Sequence, residues 1–255
     1  GLHLGFVPRR DIRVTDQYAG YVWRIGDSGA WSLGPAVNTV VDWDHAGRVQ
    51  DRWANVDFGV SRAGHLDVHV SRAEGYELFA TPFRTNASNV SLSSSVFQWL
   101  SVWSLYSWGT AINYTPAAGV APFLGANRGM SAAVTIRPST RLSLEQLVLH
   151  QQFDTTPERP SMTQEPVFST NLFRWKANLQ MSRSLAVRGI FDYNRLDSNA
   201  ALFSDPASSG VMYDLLVKYL VHPGTAVYVG FNRQYEGALT DQSSPLPLRW
   251  SNLAS

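Results

Sequence analysis

Along this chain, segments in which apolar and polar residues strictly alternate are joined by short turns and long loops in succession. The short joints are Gly26-Asp27-Ser28-Gly29, Arg62-Ala63-Gly64, Val96-Phe97, Arg137-Pro138-Ser139, Met181-Ser182-Arg183 and His222-Pro223-Gly224. Most of the joints between them are longer: 81–87, 115–127, 154–166 and 197–209. Hairpins that are tight at one end and loose at the other describe an antiparallel up-and-down β-meander. A sandwich of Greek keys has no reason to sort its loops this way. A transmembrane barrel does, with short turns on the periplasmic side and long loops outside.

The strands are legible individually. In 52–61, Ala54, Val56, Phe58 and Val60 fall on one face, and Trp53, Asn55, Asp57 and Gly59 on the other. Side chains of a strand point to opposite faces in turn, so this is a strand with one apolar face. The pattern returns in 65–71, 130–137, 173–180, 185–194 and 211–221. Asp57, Asp67, Arg137, Arg174, Lys176, Arg188, Asp192, Asp214 and Lys218 all lie on the polar side of their strands. In a soluble sandwich that side is the solvent face. In a barrel it is the lumen, where mixed charges pair across strands. Alternation alone leaves both readings open.

Two segments fit less well. In 141–150, Leu142 and Leu144 share one face and Leu147 and Leu149 the other, which a β-bulge would explain. Residues 97–108 carry large apolar residues on both faces, as expected of a strand covered inside by a loop or plug.

Composition narrows the choice. No apolar run approaches the ~20 residues of a membrane-spanning helix. Charged residues are 16% against about 25% in an ordinary domain. Nine Trp and ten Tyr are present. Tyr18, Tyr21, Trp23, Trp31, Trp99, Trp103, Trp108, Tyr193, Tyr219, Tyr228 and Tyr235 fall mostly near strand ends, as in the aromatic girdles of a barrel wall. Net charge is +1 with no basic run, so a nucleic-acid partner is not expected. Cysteine is absent, which rules out disulfides, thiolate metal sites and a thiol nucleophile.

Three segments carry a resemblance. They are Gly5-Phe6-Val7-Pro8-Arg9-Arg10-Asp11-Ile12-Arg13 with Ala19-Gly20-Tyr21, then 174–180 with 184–194, then 215–232 ending in Tyr235-Glu236. Together they resemble the C-terminal outer-membrane barrel domain, of unknown function, of bacterial "carbohydrate-binding family 9 domain-containing" proteins. The resemblance implies a partial barrel of about twelve strands over 1–255, with 1–14 and 239–255 as loop-like ends. It implies that the N-terminal carbohydrate-binding domain and the last strand, with its terminal aromatic, are missing from this segment. It further implies a Gram-negative outer-membrane location, a lipid bilayer and the barrel-insertion machinery as partners, and a porin-like role with a glycan as a candidate ligand. It carries no reaction and no cofactor.

The candidate sites are sparse. His65, Asp67 and His69 alternate on one strand, placing ligand-type side chains in a row about 7 Å apart. Two of them with a cross-strand partner could bind a metal; a polar lumen stripe is the simpler account. Asp42, Asp44 and His45 beside a tight joint read as turn chemistry. Glu74, Glu77 and Glu145 are scattered among basic neighbours like the aspartates, which favours ion pairs over a glycosidase pair. Asn86 and Asn89 open sequons of the kind chance supplies in a Ser-rich segment. No catalytic set is expected in this segment. A membrane-anchored, hydrolase-associated domain and a soluble extracellular β-sheet binding protein remain as alternatives.

Overall fold

The computed structural model describes residues 12–26, 30–63, 65–156, 165–222 and 224–238. They form one antiparallel meander of thirteen strands. These are β1 (Ile12–Gly20), β2 (Trp23–Ile25), β3 (Trp31–Asp44), β4 (Val49–Arg62), β5 (Leu66–Phe79), β6 (Thr81–Phe97), β7 (Leu100–Asn113), β8 (Phe123–Ser139), β9 (Leu142–Thr155), β10 (Pro166–Gln180), β11 (Leu185–Ser198), β12 (Ser208–His222) and β13 (Thr225–Ala238). β1 and β2 both pair with β3 in one unbroken register, with Tyr21 N–H donating to the Pro35 carbonyl between them. They therefore act as one strand, and the sheet has twelve positions, in agreement with the expected dozen. The sheet is open, with β1 and β13 at its edges.

Strands that end at Ile25, Arg62, Phe97, Ser139, Gln180 and His222 are followed within a few residues by their antiparallel neighbours, which defines a tight end. The other end carries joints at 45–48, 80, 114–122, 156–165 and 199–207. The reversals expected at Val96-Phe97 and Arg137–Ser139 fall a little later, and those residues close strands β6 and β8. The long joint expected at 81–87 does not exist, because those residues open β6. Ala80, at φ 52°, reverses the chain by itself, and Phe79 pairs with Thr81 across it. A positive φ at alanine leaves no mark in the sequence, and Pro82 is compatible with a strand start. Residues 12–14, expected as loop, belong to β1. Residues 1–11 and 239–255 lie outside the described residues.

Every strand read from alternation reaches beyond its expected length at the loose end. The segment 65–71 continues to Phe79, 130–137 starts at Phe123, and 173–180 starts at Pro166. The cause is a change of pattern. Toward the loose end the formerly apolar face turns polar, with Arg72 and Glu74 on β5, Arg128 on β8, and Ser169 and Asn171 on β10. Backbone ladders continue where amphipathicity stops.

Register follows one direction. The residues opposite one another along one line of the sheet are Trp23, Leu33, Val60, Val68, Leu92, Ser104, Ala132, Val148, Phe173, Tyr193, Val211 and Tyr235. No charge occurs on this line. It begins near the tight end at Trp23 and ends near the loose end at Tyr235. Such a cumulative stagger is the shear by which a sheet tilts its strands and coils toward a barrel.

No bulge interrupts β9 at its leucines. Its pairing with β10 runs unbroken from Leu142 to Phe153, so Leu147 and Leu149 share the face of Glu145. The irregularity lies on the neighbouring strand, between Ile136 and Ser139. Nor is 97–108 covered, as Trp103, Tyr106 and Trp108 are each exposed. The cover sits farther along. Loops 114–122 and 199–207 fold over the loose end of β7–β10, where Phe123, Phe153, Val167 and Leu202 are buried together against Phe168 and Phe203. Asn113 Nδ2 donates to the Leu202 carbonyl at 2.9 Å, and Ser204 N–H to the Thr115 carbonyl at 3.1 Å, tying the two loops to the sheet and to each other.

Two outcomes are expected. A methyl at Gly109 would lie 2.0 Å from the Asn86 carbonyl oxygen, so Gly109→Ala forces β6 and β7 apart. It should cost about 1–3 kcal/mol in denaturant unfolding of the micelle-folded protein. Phe153→Ala removes the centre of the cap, a loss of the order of 3–5 kcal/mol to local packing. It should speed protease cleavage within 199–207; an unchanged cleavage rate contradicts the cap.

Candidate functional site

The chemistry of this chain is concentrated on one face of the sheet. Pairing carried from strand to strand places Asp57 (β4), Asp67 (β5), Arg137 (β8), Arg174 and Lys176 (β10), Arg188 and Asp192 (β11), and Asp214 and Lys218 (β12) on the same side. The opposite side carries the charge-free line.

Within the charged face, ion pairs follow the ladder. Arg174 and Asp192 are directly opposed and bond through two parallel contacts, Nε to Oδ1 at 2.6 Å and Nη2 to Oδ2 at 2.7 Å. This fork is the strong geometry for a guanidinium and a carboxylate. Lys176 faces Glu145 and reaches it at 3.1 Å. Arg188 Nη2 reaches Asp214 diagonally at 3.2 Å, and Asn232 Nδ2 also donates to Asp214. Lys218 lies over the Tyr228 ring, 5.8 Å from its centroid. On the other half of the sheet, Asp57 Oδ1 accepts from His69 Nδ1–H at 3.0 Å. The His69 ring lies over Gly59, where a Cβ would fall 2.6 Å from it, so glycine makes room for this contact.

The His65, Asp67 and His69 row does not converge. His65 sits in the reversal, its N–H bonded to the Arg62 carbonyl, and His69 turns to Asp57. Among the described residues no group of three or more His, Asp or Glu is placed to hold a metal ion. Asp44 forms the turn at 45–48: it accepts from Arg48 N–H and from Arg48 Nε, both at 2.8 Å. Glu77 accepts from Tyr114 Oη at 2.6 Å, which ties β5 to loop 114–122. Glu74 pairs with Arg72 at 2.7 Å on the opposite face, and Arg72 also donates to Ser88.

The aromatic residues divide between faces. Tyr21, Trp23, Trp31 and Tyr219 stand on the apolar side at the tight end, with Arg62 above the Trp31 ring at 5.4 Å. Trp108, Tyr193 and Tyr235 stand on that side nearer the loose end. Tyr18, Trp103 and Tyr228 were expected in the same girdles, but register turns them to the charged face. Position along the chain reveals nearness to a strand end; only pairing reveals the side.

Alternation exposed the charges but not the cap. Asn113, Phe123, Phe153 and Phe203 give no periodic signal, since they sit at strand ends or in a loop and the cluster also draws on Val120 and Leu202 in loops.

No protein-family model matches the chain, and no curated protein matches it. A solved structure described as "NanC porin structure in rhombohedral crystal form" aligns with 83% of this chain and 94% of its own, at 11% identity and a TM-score of 0.34. At that score the likeness bears no weight, and the fold assignment stands on strand order and register.

The fork between Arg174 and Asp192 gives a measurable coupling. Their side chains are 46% and 13% exposed, so screening leaves a double-mutant coupling of about 0.5–1 kcal/mol. A coupling indistinguishable from zero would show that the two residues ignore each other in solution.

Proposed function

We propose that this chain forms the wall of a bacterial outer-membrane β-barrel whose charged face lines the interior and serves passage or surface capture of a polar, carbohydrate-related solute. One observation carries the reading. A line of residues crossing all twelve sheet positions holds no charge, while the other face of the same strands holds cross-strand ion pairs.

A soluble protein must cover a large apolar face with other parts of itself. Val56, Phe58, Val70, Trp175, Leu215, Val229 and Phe231 are exposed on that face, and no second layer packs against them among the described residues. Lipid would cover them. On β4 the apolar stretch from Val60 to Ala54 lies between Arg62 and Arg52. At about 3.4 Å per residue it spans roughly 20 Å along the strand, of the order of the apolar band of a barrel. The stagger of register, the tight and loose ends, and the strand lengths of 14 to 17 residues for most strands support the same reading. Lipid tolerates no unpaired sheet edge, so β1 and β13 must be covered by each other or by further strands. The lipid bilayer and the insertion machinery follow as partners of the intact protein. The carbohydrate-related part of the proposal rests on the family resemblance alone.

The intact protein should fractionate with outer membranes and run faster on gels when unboiled. A protein that stays soluble without detergent and shows no heat-dependent shift would overturn the barrel.

A further inference from the structure

The charged face is not uniform. At the tight end of β8–β12, Arg137, Arg141, Arg188 and Lys218 line one hollow with Ser139, Ser143, Asn178 and Gln180, and no acidic residue lines it. We propose that this hollow is an anion-docking site within the barrel, taking a solute that bears a carboxylate or phosphate together with hydroxyl groups. The inference deepens the barrel reading and rests on it.

Three observations carry it. First, the cations are incompletely neutralised. Farther from the turns, Arg174 and Lys176 are matched by Asp192 and Glu145. In the hollow, Arg188 shares Asp214 through one nitrogen while its buried Nε has no partner. Among the described residues, the Arg137 side chain reaches the Ser101 hydroxyl alone, at 3.4 Å, and Lys218 the Tyr228 ring alone. Second, the neighbouring groups suit a hydroxylated anion. Two serines, an asparagine and a glutamine supply neutral donors and acceptors beside the cations. Third, the far side of the same face has the opposite character. A hollow on β1–β5 is lined by Asp57, Asp67, His69, Tyr18, Ser32 and Ser61, with no Lys or Arg among its residues. If β1 and β13 paired with each other, β4 and β10 would face one another across the interior. In any closure the acidic hollow disfavours an anion and the basic hollow favours one, and low-dielectric walls would focus that field.

The shared chemistry of carboxylates and phosphates is tested with two probes. The intact protein, folded in detergent micelles, is dialysed to equilibrium against inorganic pyrophosphate and, separately, against citrate at low ionic strength. Saturable binding of at least one probe is expected, and the tighter probe identifies the class. The double substitution Arg141→Gln with Lys218→Gln should weaken it about tenfold or more, the scale of one to two lost charge-assisted contacts. Arg52→Gln with Arg62→Gln removes the same two charges from the other face, Arg62 lying beside Trp31, and should leave binding unchanged. No saturable binding by a protein that keeps its heat-dependent gel shift would overturn the docking site and leave the barrel standing. An equal loss in the Arg52→Gln with Arg62→Gln protein would reduce the effect to overall charge and overturn it as well. A protein without the gel shift would overturn both.

Discussion

Backbone pairing between neighbouring strands is the interaction on which everything else in this molecule depends. Ladders run nearly unbroken from β1 to β13, and their irregularities fall near strand ends. By contrast, buried apolar side chains are few, and the main cluster is the small cap of Phe123, Phe153, Val167 and Leu202. Most domains of this length are held by a packed core. This one is held by hydrogen bonds between strands, an arrangement favoured where water does not compete for backbone groups.

Each face then has a separate task. The apolar side presents Val, Leu, Phe, Trp and Tyr at alternate positions; Arg62, Arg72 and Glu74 occur where that pattern ends, and Arg233 lies on it over the Tyr235 ring. The opposite side gathers carboxylates on β4 and β5 and most of its cations on β8–β12. Pairing across strands satisfies the middle of the cationic half and leaves its tight end open for a ligand. At the loose end, two loops fold back over the same face and meet an aromatic cluster. A solute entering a closed barrel from that end would pass this cap before reaching the charged wall.

Much of this was legible in the sequence, for a physical reason. Where a strand separates an apolar from a polar medium, alternation is compulsory, and 52–61, 173–180 and 211–221 announced their strands and faces. Where both sides are polar, alternation loses its meaning, and the outer portions of β5, β8 and β10 were missed. Ala80 concealed a tight reversal because its positive φ is imposed by the pairing of β5 with β6, not by its own chemistry. The shared face of Asp57, Arg174, Asp192 and Asp214 was readable from parity within strands. Their partners were not, since Arg174 meets Asp192 and Lys176 meets Glu145 only through register. The cationic hollow needed five strands aligned at once, which no single segment displays.

The central claim is that the apolar face meets lipid and the charged face meets water. The absence of cysteine from these 255 residues makes it directly testable, because any cysteine introduced here is the only thiol of this stretch of wall. Single cysteines placed in turn from Val211 to Val221 in the intact protein, spin-labelled and reconstituted in vesicles, report whether each site collides with a lipid-soluble or a water-soluble relaxation agent. The account predicts a strict period of two: Val211, Tyr213, Leu215, Val217, Tyr219 and Val221 accessible from lipid, Met212, Asp214, Leu216 and Lys218 from water. Equal water access at both sets of positions, or an odd-numbered set shielded from both agents, would contradict it.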